Sequence, residues 1–150
     1  MTNNNPDNSS TITLLKKLFN SPNLEIFIES HESEMHILPF HAYLSCVCEE
    51  KGEIPEHVIK RSSIDRTYGH QLFNGTRKPS RDKVIQLAIG LELNFEQTQK
   101  LLQVGQKSIL YPKIKRDAVI IHCIRNKKEI NETQAVLKTL GLTPLSGDNQ

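Results

Sequence analysis

The segment from Gly52 to Pro79 constrains the fold of this chain most, because its helix boundary signals follow one another closely. Pro55 favours the first turn of one helix. Asp is a preferred N-cap residue of helices, and Asp65 stands directly before a second helix that the pattern places at Arg66 to Phe73. Gly75 can end that second helix in a left-handed conformation. The segment therefore predicts two short helices joined by a tight turn.

Positive charge is concentrated in the same part of the chain. Residues 1–59 carry three basic and nine acidic residues, whereas residues 60–83 carry seven basic and two acidic ones. The net charge of the whole chain is only +2. A compact basic segment favours a polyanionic partner, although a solvated helix face is an alternative explanation for such a cluster. The basic residues are Lys60, Arg61, Arg66, Arg77, Lys78, Arg81 and Lys83.

The residues at the end of the second helix match a known family. Leu72-Phe73-Asn74-Gly75 is the same run that closes the recognition helix in one phage repressor, and residues 74–80 continue with the basic loop and Pro-Ser of that family. Residues 52–91 thus resemble the Cro and phage-repressor (XRE-type) helix-turn-helix family. The resemblance implies an all-α, five-helix DNA-binding domain over residues 38–104, which binds double-stranded DNA as a homodimer.

Four positions depart from the family pattern. Relatives usually have a small residue at Ile59, Gly at Ser63, a β-branched residue at Gly69, and often a phosphate-binding Gln at Pro55. We expect Ile59 and Gly69 to face one another across the two helices, so that a large and an absent side chain conserve volume. The turn at Ser63 is expected to need a positive φ, which a short polar side chain tolerates better than a β-branched one.

The resemblance makes residues 66–73 the recognition helix, which enters the major groove with its N-terminal end. Arg66 matches the edge of guanine and Gln71 that of adenine, while Thr67 and Tyr68 could touch a thymine methyl or a phosphate. Packing against the first helix is an equal alternative for Tyr68. The expected base contacts are Arg66, Thr67, Tyr68, His70 and Gln71. The expected phosphate contacts are Asn74, Thr76, Arg77 and Lys78, with Lys60 and Arg61 as weaker candidates.

A repeat of 35 residues follows. Residues 81–102 align with residues 116–137, and eight of the 22 pairs are identical. The pattern predicts helices near 81–91, 95–104, 115–126 and 131–140, arranged as two similar hairpins. Two units are too few for a solenoid. The second hairpin therefore either extends the core or forms a dimer interface, and the sequence leaves both open.

Four segments follow from these patterns. Residues 1–10 are expected to be a disordered polar tail, and residues 11–37 a helical brace. Residues 38–104 form the expected DNA-binding domain, and residues 105–150 the C-terminal hairpin.

The remaining signals exclude other classes of protein. His31, His36 and His41 recur every five residues, which turns a helix by ~140° per step, so they share no face and predict no metal site. The three cysteines lack zinc-finger spacing. Motifs of enzymes and cofactor sites are missing from the sequence, so we expect neither catalysis nor a cofactor.

A membrane location is also not expected. The longest aliphatic stretch, residues 118–121, is far shorter than the ~20 apolar residues of a spanning helix, and the N-terminus lacks signal-peptide features. We expect a cytoplasmic transcriptional regulator, with repression as its mode of action. The alternative is an adaptor or antitoxin that keeps the helix-turn-helix fold but binds another protein, which the acidic first 59 residues favour.

Overall fold

The computed structural model describes residues 6–36 and 38–146, and the regular structure in these ranges is entirely helical. This confirms the all-α prediction. A 3-10 turn covers Glu32–Glu34. The α-helices are α1 (Pro6–Phe19), α2 (Leu24–His31), α3 (Phe40–Glu50), α4 (Pro55–Arg61), α5 (Arg66–Asn74), α6 (Arg81–Gly90), α7 (Phe95–Val104), α8 (Lys115–Arg125) and α9 (Ile130–Thr139).

The chain divides into two compact units, Met1–Ile37 and Leu38–Gln150. In the first unit, α1 begins at Pro6, inside the segment expected to be a polar tail, and residues 1–5 lie outside the described residues. Proline at the first helical position has its φ already set for a helix, which the polar composition of the segment concealed. Asn23 caps α2 by accepting a hydrogen bond from the backbone N–H of Ile26 at 3.1 Å.

In the second unit, α4 and α5 meet at the predicted turn. Asp65 caps α5 by accepting a hydrogen bond from the Tyr68 backbone N–H at 3.1 Å. Ser63 has a φ of 55°, as the sequence predicted for this turn. Gly75 ends α5 with a φ of 84°, and a Cβ there would also meet the ring of His41.

Ile59 on α4 and Gly69 on α5 face one another at the crossing of the two helices. A Cβ built on Gly69 would lie 2.7 Å from Cγ1 of Ile59, much closer than real Cβ atoms approach a neighbour. Both residues are buried. The large side chain at position 59 therefore fills the space left by the absent side chain at position 69, as expected from their spacing.

Helix α6 is the centre of this unit. Every residue from Lys83 to Gly90 is buried, and α6 packs against α4, α7 and α9. Helix α5 packs against α3 and α4. This leaves one face of α5 free of helix packing.

Two reciprocal ion pairs join the repeated hairpins α6–α7 and α8–α9, because the Arg of each hairpin binds the Asp of the other. Arg81 binds both carboxylate oxygens of Asp117 at 3.0 and 2.8 Å, and Arg116 binds both oxygens of Asp82 at 3.0 and 2.9 Å. Swapping each residue for its counterpart 35 positions away leaves this pattern unchanged. The hairpins are therefore related by an approximate two-fold axis, and not by the translation of a solenoid.

Other contacts recur within each unit of the repeat. The Gln99 side chain bonds both backbone groups of Leu110, and Gln134 bonds both backbone groups of Leu145. The apolar side chains of α8 and α9 join the core of α3–α7, among them Ile120, Ile124, Ile130 and Leu137. The C-terminal hairpin thus closes the core of the second unit.

Candidate nucleic-acid interface

The expected base-contacting residues lie mostly on one face of α5. At 100° per residue, the arc that runs through positions 66, 70, 74, 67 and 71 spans ~140°. The side chains on this arc are exposed or half-exposed: Arg66, Thr67, His70, Gln71 and Asn74. The opposite arc holds the buried residues Gly69, Leu72 and Phe73. The sequence therefore produces an amphipathic helix whose polar face is available to a ligand.

Tyr68 is the expected base contact that does not share this face. It is half-buried and packs against the core. The guanidinium carbon of Arg77 lies 4.4 Å from the centre of its ring, and Lys83 Nζ lies 5.8 Å from it. The geometry favours the packing alternative, in which Tyr68 is a platform that positions Arg77 through a cation–π contact.

The loop after α5 is fixed to the end of that helix. The Asn74 side chain accepts a hydrogen bond from the Thr76 backbone N–H at 2.9 Å, and the Arg77 backbone N–H donates to the Gln71 carbonyl at 3.2 Å. Thr76, Arg77 and Lys78 are all exposed. The expected phosphate contacts are therefore held at the C-terminal end of the polar face.

Sequence reasoning missed the carboxylate of Glu56, the second residue of α4. Its Oε1 lies 2.8 Å from Arg66 Nε, and its Oε2 lies 3.2 Å from His70 Nε2. The hydrogen bonds from Arg66 and then from His70 hold the pKa of Glu56 below its ordinary value, so the carboxylate is charged at neutral pH. An acidic residue in the first turn of a helix is ordinarily explained by the helix dipole, so its position in the sequence gives no signal of this bridge.

Several basic side chains of residues 60–83 are used inside the protein. Arg61 pairs with Glu53 at 3.0 Å and donates to the Gly90 carbonyl, while Arg81 pairs with Asp117. Lys83 is buried and donates to Gln86 at 3.1 Å. Within the described ranges, Lys60, Arg77 and Lys78 form no ion pair. Fewer basic side chains of residues 60–83 are therefore available to a partner than the composition indicates. Those that are available lie in the loop after α5 and at the end of α4.

Other kinds of site find little support in the described part of the chain. No group of three or more His, Cys, Asp or Glu residues there could hold a metal ion. None of the helices described is long and apolar enough to cross a membrane.

Comparisons with protein-family models, with curated proteins and with solved structures found no match to this chain.

Proposed function

We propose that this protein is a sequence-specific regulator that binds double-stranded DNA, with α3–α7 as a five-helix domain of the Cro and phage-repressor (XRE) type. The observation that carries the proposal is the polar face of α5, which is capped by Asp65, has Arg66 at its N-terminal end and is followed by a basic loop. In such domains the N-terminal end of the second helix of the motif contacts base edges.

The proposed roles follow from side-chain chemistry. Arg66 donates to O6 and N7 of a guanine, and Gln71 forms a bidentate contact with an adenine. Thr67 and His70 lie between them on the same face. Thr76, Arg77 and Lys78 contact phosphates, which sets the register of the helix on the duplex without specifying sequence.

We propose that two copies bind paired half-sites and that the bound protein represses transcription. The apolar faces of α8 and α9 are used in the core, so the surface that joins the copies lies elsewhere than on those faces. A dimer of this kind predicts half-sites about one helical turn apart, or a multiple of that distance.

The double substitution of Arg77 and Lys78 by Ala is expected to weaken binding to every duplex sequence. Each lost phosphate contact reduces the slope of log affinity against log salt by about 1, because fewer counterions are released on binding. Fluorescence anisotropy with random-sequence duplexes at several salt concentrations measures both quantities.

The matched control is the double substitution of Lys113 and Lys115 by Ala, which removes the same charge from exposed positions at the start of the C-terminal hairpin. It is expected to change the salt slope much less. Equal effects of the two double variants would contradict the proposed phosphate contacts, since they would mean that only total charge matters.

A protein-binding adaptor is the second candidate function. The observation that favours it is the internal use of Arg61, Arg81 and Lys83, which reduces the charge available to DNA. An adaptor predicts that neither double variant changes DNA binding, because the wild-type protein binds duplexes only weakly and without sequence preference.

A further inference from the structure

The carboxylate of Glu56 joins the start of α4 to the polar face of α5. Arg66 and His70 are one helical turn apart on α5, and each donates to a different oxygen of the same carboxylate, at 2.8 and 3.2 Å. Because Glu56 on α4 contacts both side chains, it fixes the direction in which each of them leaves α5.

The atoms used in this contact matter for base recognition. Glu56 binds Arg66 through Nε. A guanidinium group has five N–H donors in a rigid plane, so engagement of Nε leaves the Nη1 and Nη2 groups available for the two acceptors of guanine. The contact therefore orients the Arg66 fork without occupying its outer edge.

Orientation is valuable here because Arg66 is otherwise unconstrained. Its side chain is 77% exposed. A long side chain loses much rotamer freedom when it is fixed at a base edge, and a partner that already restricts it reduces that loss. A carboxylate close to DNA phosphates would by itself oppose binding, but here it is compensated by the guanidinium that it holds.

We infer that Glu56 is a positioning residue for sequence recognition, which orients Arg66 toward guanine and so contributes to discrimination between bases. The inference rests on the proposed function. Glu56 itself does not contact DNA in this arrangement. Its loss should change the preference between sequences more than it changes the affinity for random duplexes.

The test uses the full chain and a discrimination ratio. This ratio is the affinity for the site selected by the wild-type protein, divided by the affinity for the same duplex with the guanine read by Arg66 changed to adenine. That guanine is identified as the position at which Arg66→Ala loses its preference. Anisotropy titrations at fixed salt give both affinities.

Arg66→Ala is expected to lower the ratio roughly 5- to 150-fold, the usual value of one bidentate base contact. Glu56→Ala is expected to lower it about 2- to 5-fold, in keeping with the strength of an exposed ion pair. Glu56→Gln, which keeps one acceptor oxygen, should fall between Glu56→Ala and the wild type. In the Arg66→Ala background, Glu56→Ala should have no further effect on the ratio.

Glu96→Ala is the matched control. Glu96 is likewise the second residue of its helix, α7, and is exposed, so the variant loses the same charge at an equivalent helix position. It should leave the ratio unchanged.

An unchanged ratio for Glu56→Ala, with tighter binding to all duplexes, would overturn the inference while leaving the proposed function intact. A wild-type protein that selects no site, or an Arg66→Ala variant that selects the same site equally well, would overturn both. The two failures are therefore distinguishable.

Discussion

Replacing Gly69 by Ala is expected to destabilise the protein by about 1–3 kcal/mol, the usual cost of overpacking a core. The new Cβ would lie 2.7 Å from Cγ1 of Ile59, so α4 and α5 must separate or Ile59 must leave its rotamer. Alanine has the better helix propensity, by about 1 kcal/mol, and this gain only partly offsets the clash. Urea denaturation of the two proteins measures the difference.

A double-mutant cycle with Ile59→Ala identifies the cause. Ile59→Ala alone should cost about 2–5 kcal/mol because it leaves a cavity. The double variant should cost less than the sum of the two single ones, since the Ala side chain at position 69 then enters the space that Ile59 left. Thr67→Ala, on the exposed face of α5, is the control for substitution in this helix and should stay within about 0.5 kcal/mol. Additive changes in the free energy of unfolding at positions 59 and 69 would contradict the proposed contact between these two residues.

Replacing Asp117 by Asn is expected to cost about 3 kcal/mol, the lower end of the range for breaking a buried ion pair. Asp117 is 1% exposed, and it accepts hydrogen bonds from Arg81 and from the Tyr111 backbone N–H. The lower end applies because the Arg81 side chain is one-quarter exposed. Asp82→Asn, the counterpart in the other hairpin, should cost less because Asp82 is more exposed. Equal costs, or a cost below about 1 kcal/mol for Asp117→Asn, would contradict this account.

The same carboxylate makes stability depend on pH. Burial by itself would raise the pKa of Asp117, but the hydrogen bonds from Arg81 and from the Tyr111 N–H, together with the Arg81 charge, hold it below its ordinary value of 3.8. The unfolded chain thus takes up this proton at higher pH than the folded chain does. The contribution of Asp117 is complete above its ordinary pKa and is lost as the pH falls through the folded-state pKa. Asp117→Asn should flatten the stability profile in that acidic range, which denaturation at a series of pH values measures.

Much of the second unit could be predicted from local chemistry. The Asp65 cap, the turn at Ser63 and the end of α5 at Gly75 depend on neighbouring backbone groups, so the sequence specifies them directly. The Ile59–Gly69 contact was predictable because two short helices joined by a tight turn have few ways to cross. The start of α1 at Pro6 was missed because composition carried more weight than the proline.

Other features depend on long-range geometry that the sequence does not contain. The repeat predicted two hairpins, but a period of 35 residues does not show whether the hairpins are related by a translation or by a two-fold axis. The internal use of Arg61 and Arg81 depends on partners that the fold brings near. Glu56 was missed as a partner of Arg66 because the contact crosses between helices, and no spacing rule for a single helix includes it.

Selection of bound sequences from a random duplex pool at two salt concentrations, with Arg66→Ala selected in parallel, tests whether α5 recognises a specific DNA sequence. We expect enrichment of a short site, in half-sites about one helical turn apart or a multiple of that distance, with a guanine whose preference disappears in Arg66→Ala. Recovery of no motif, together with weak binding that vanishes at physiological salt, would contradict this expectation.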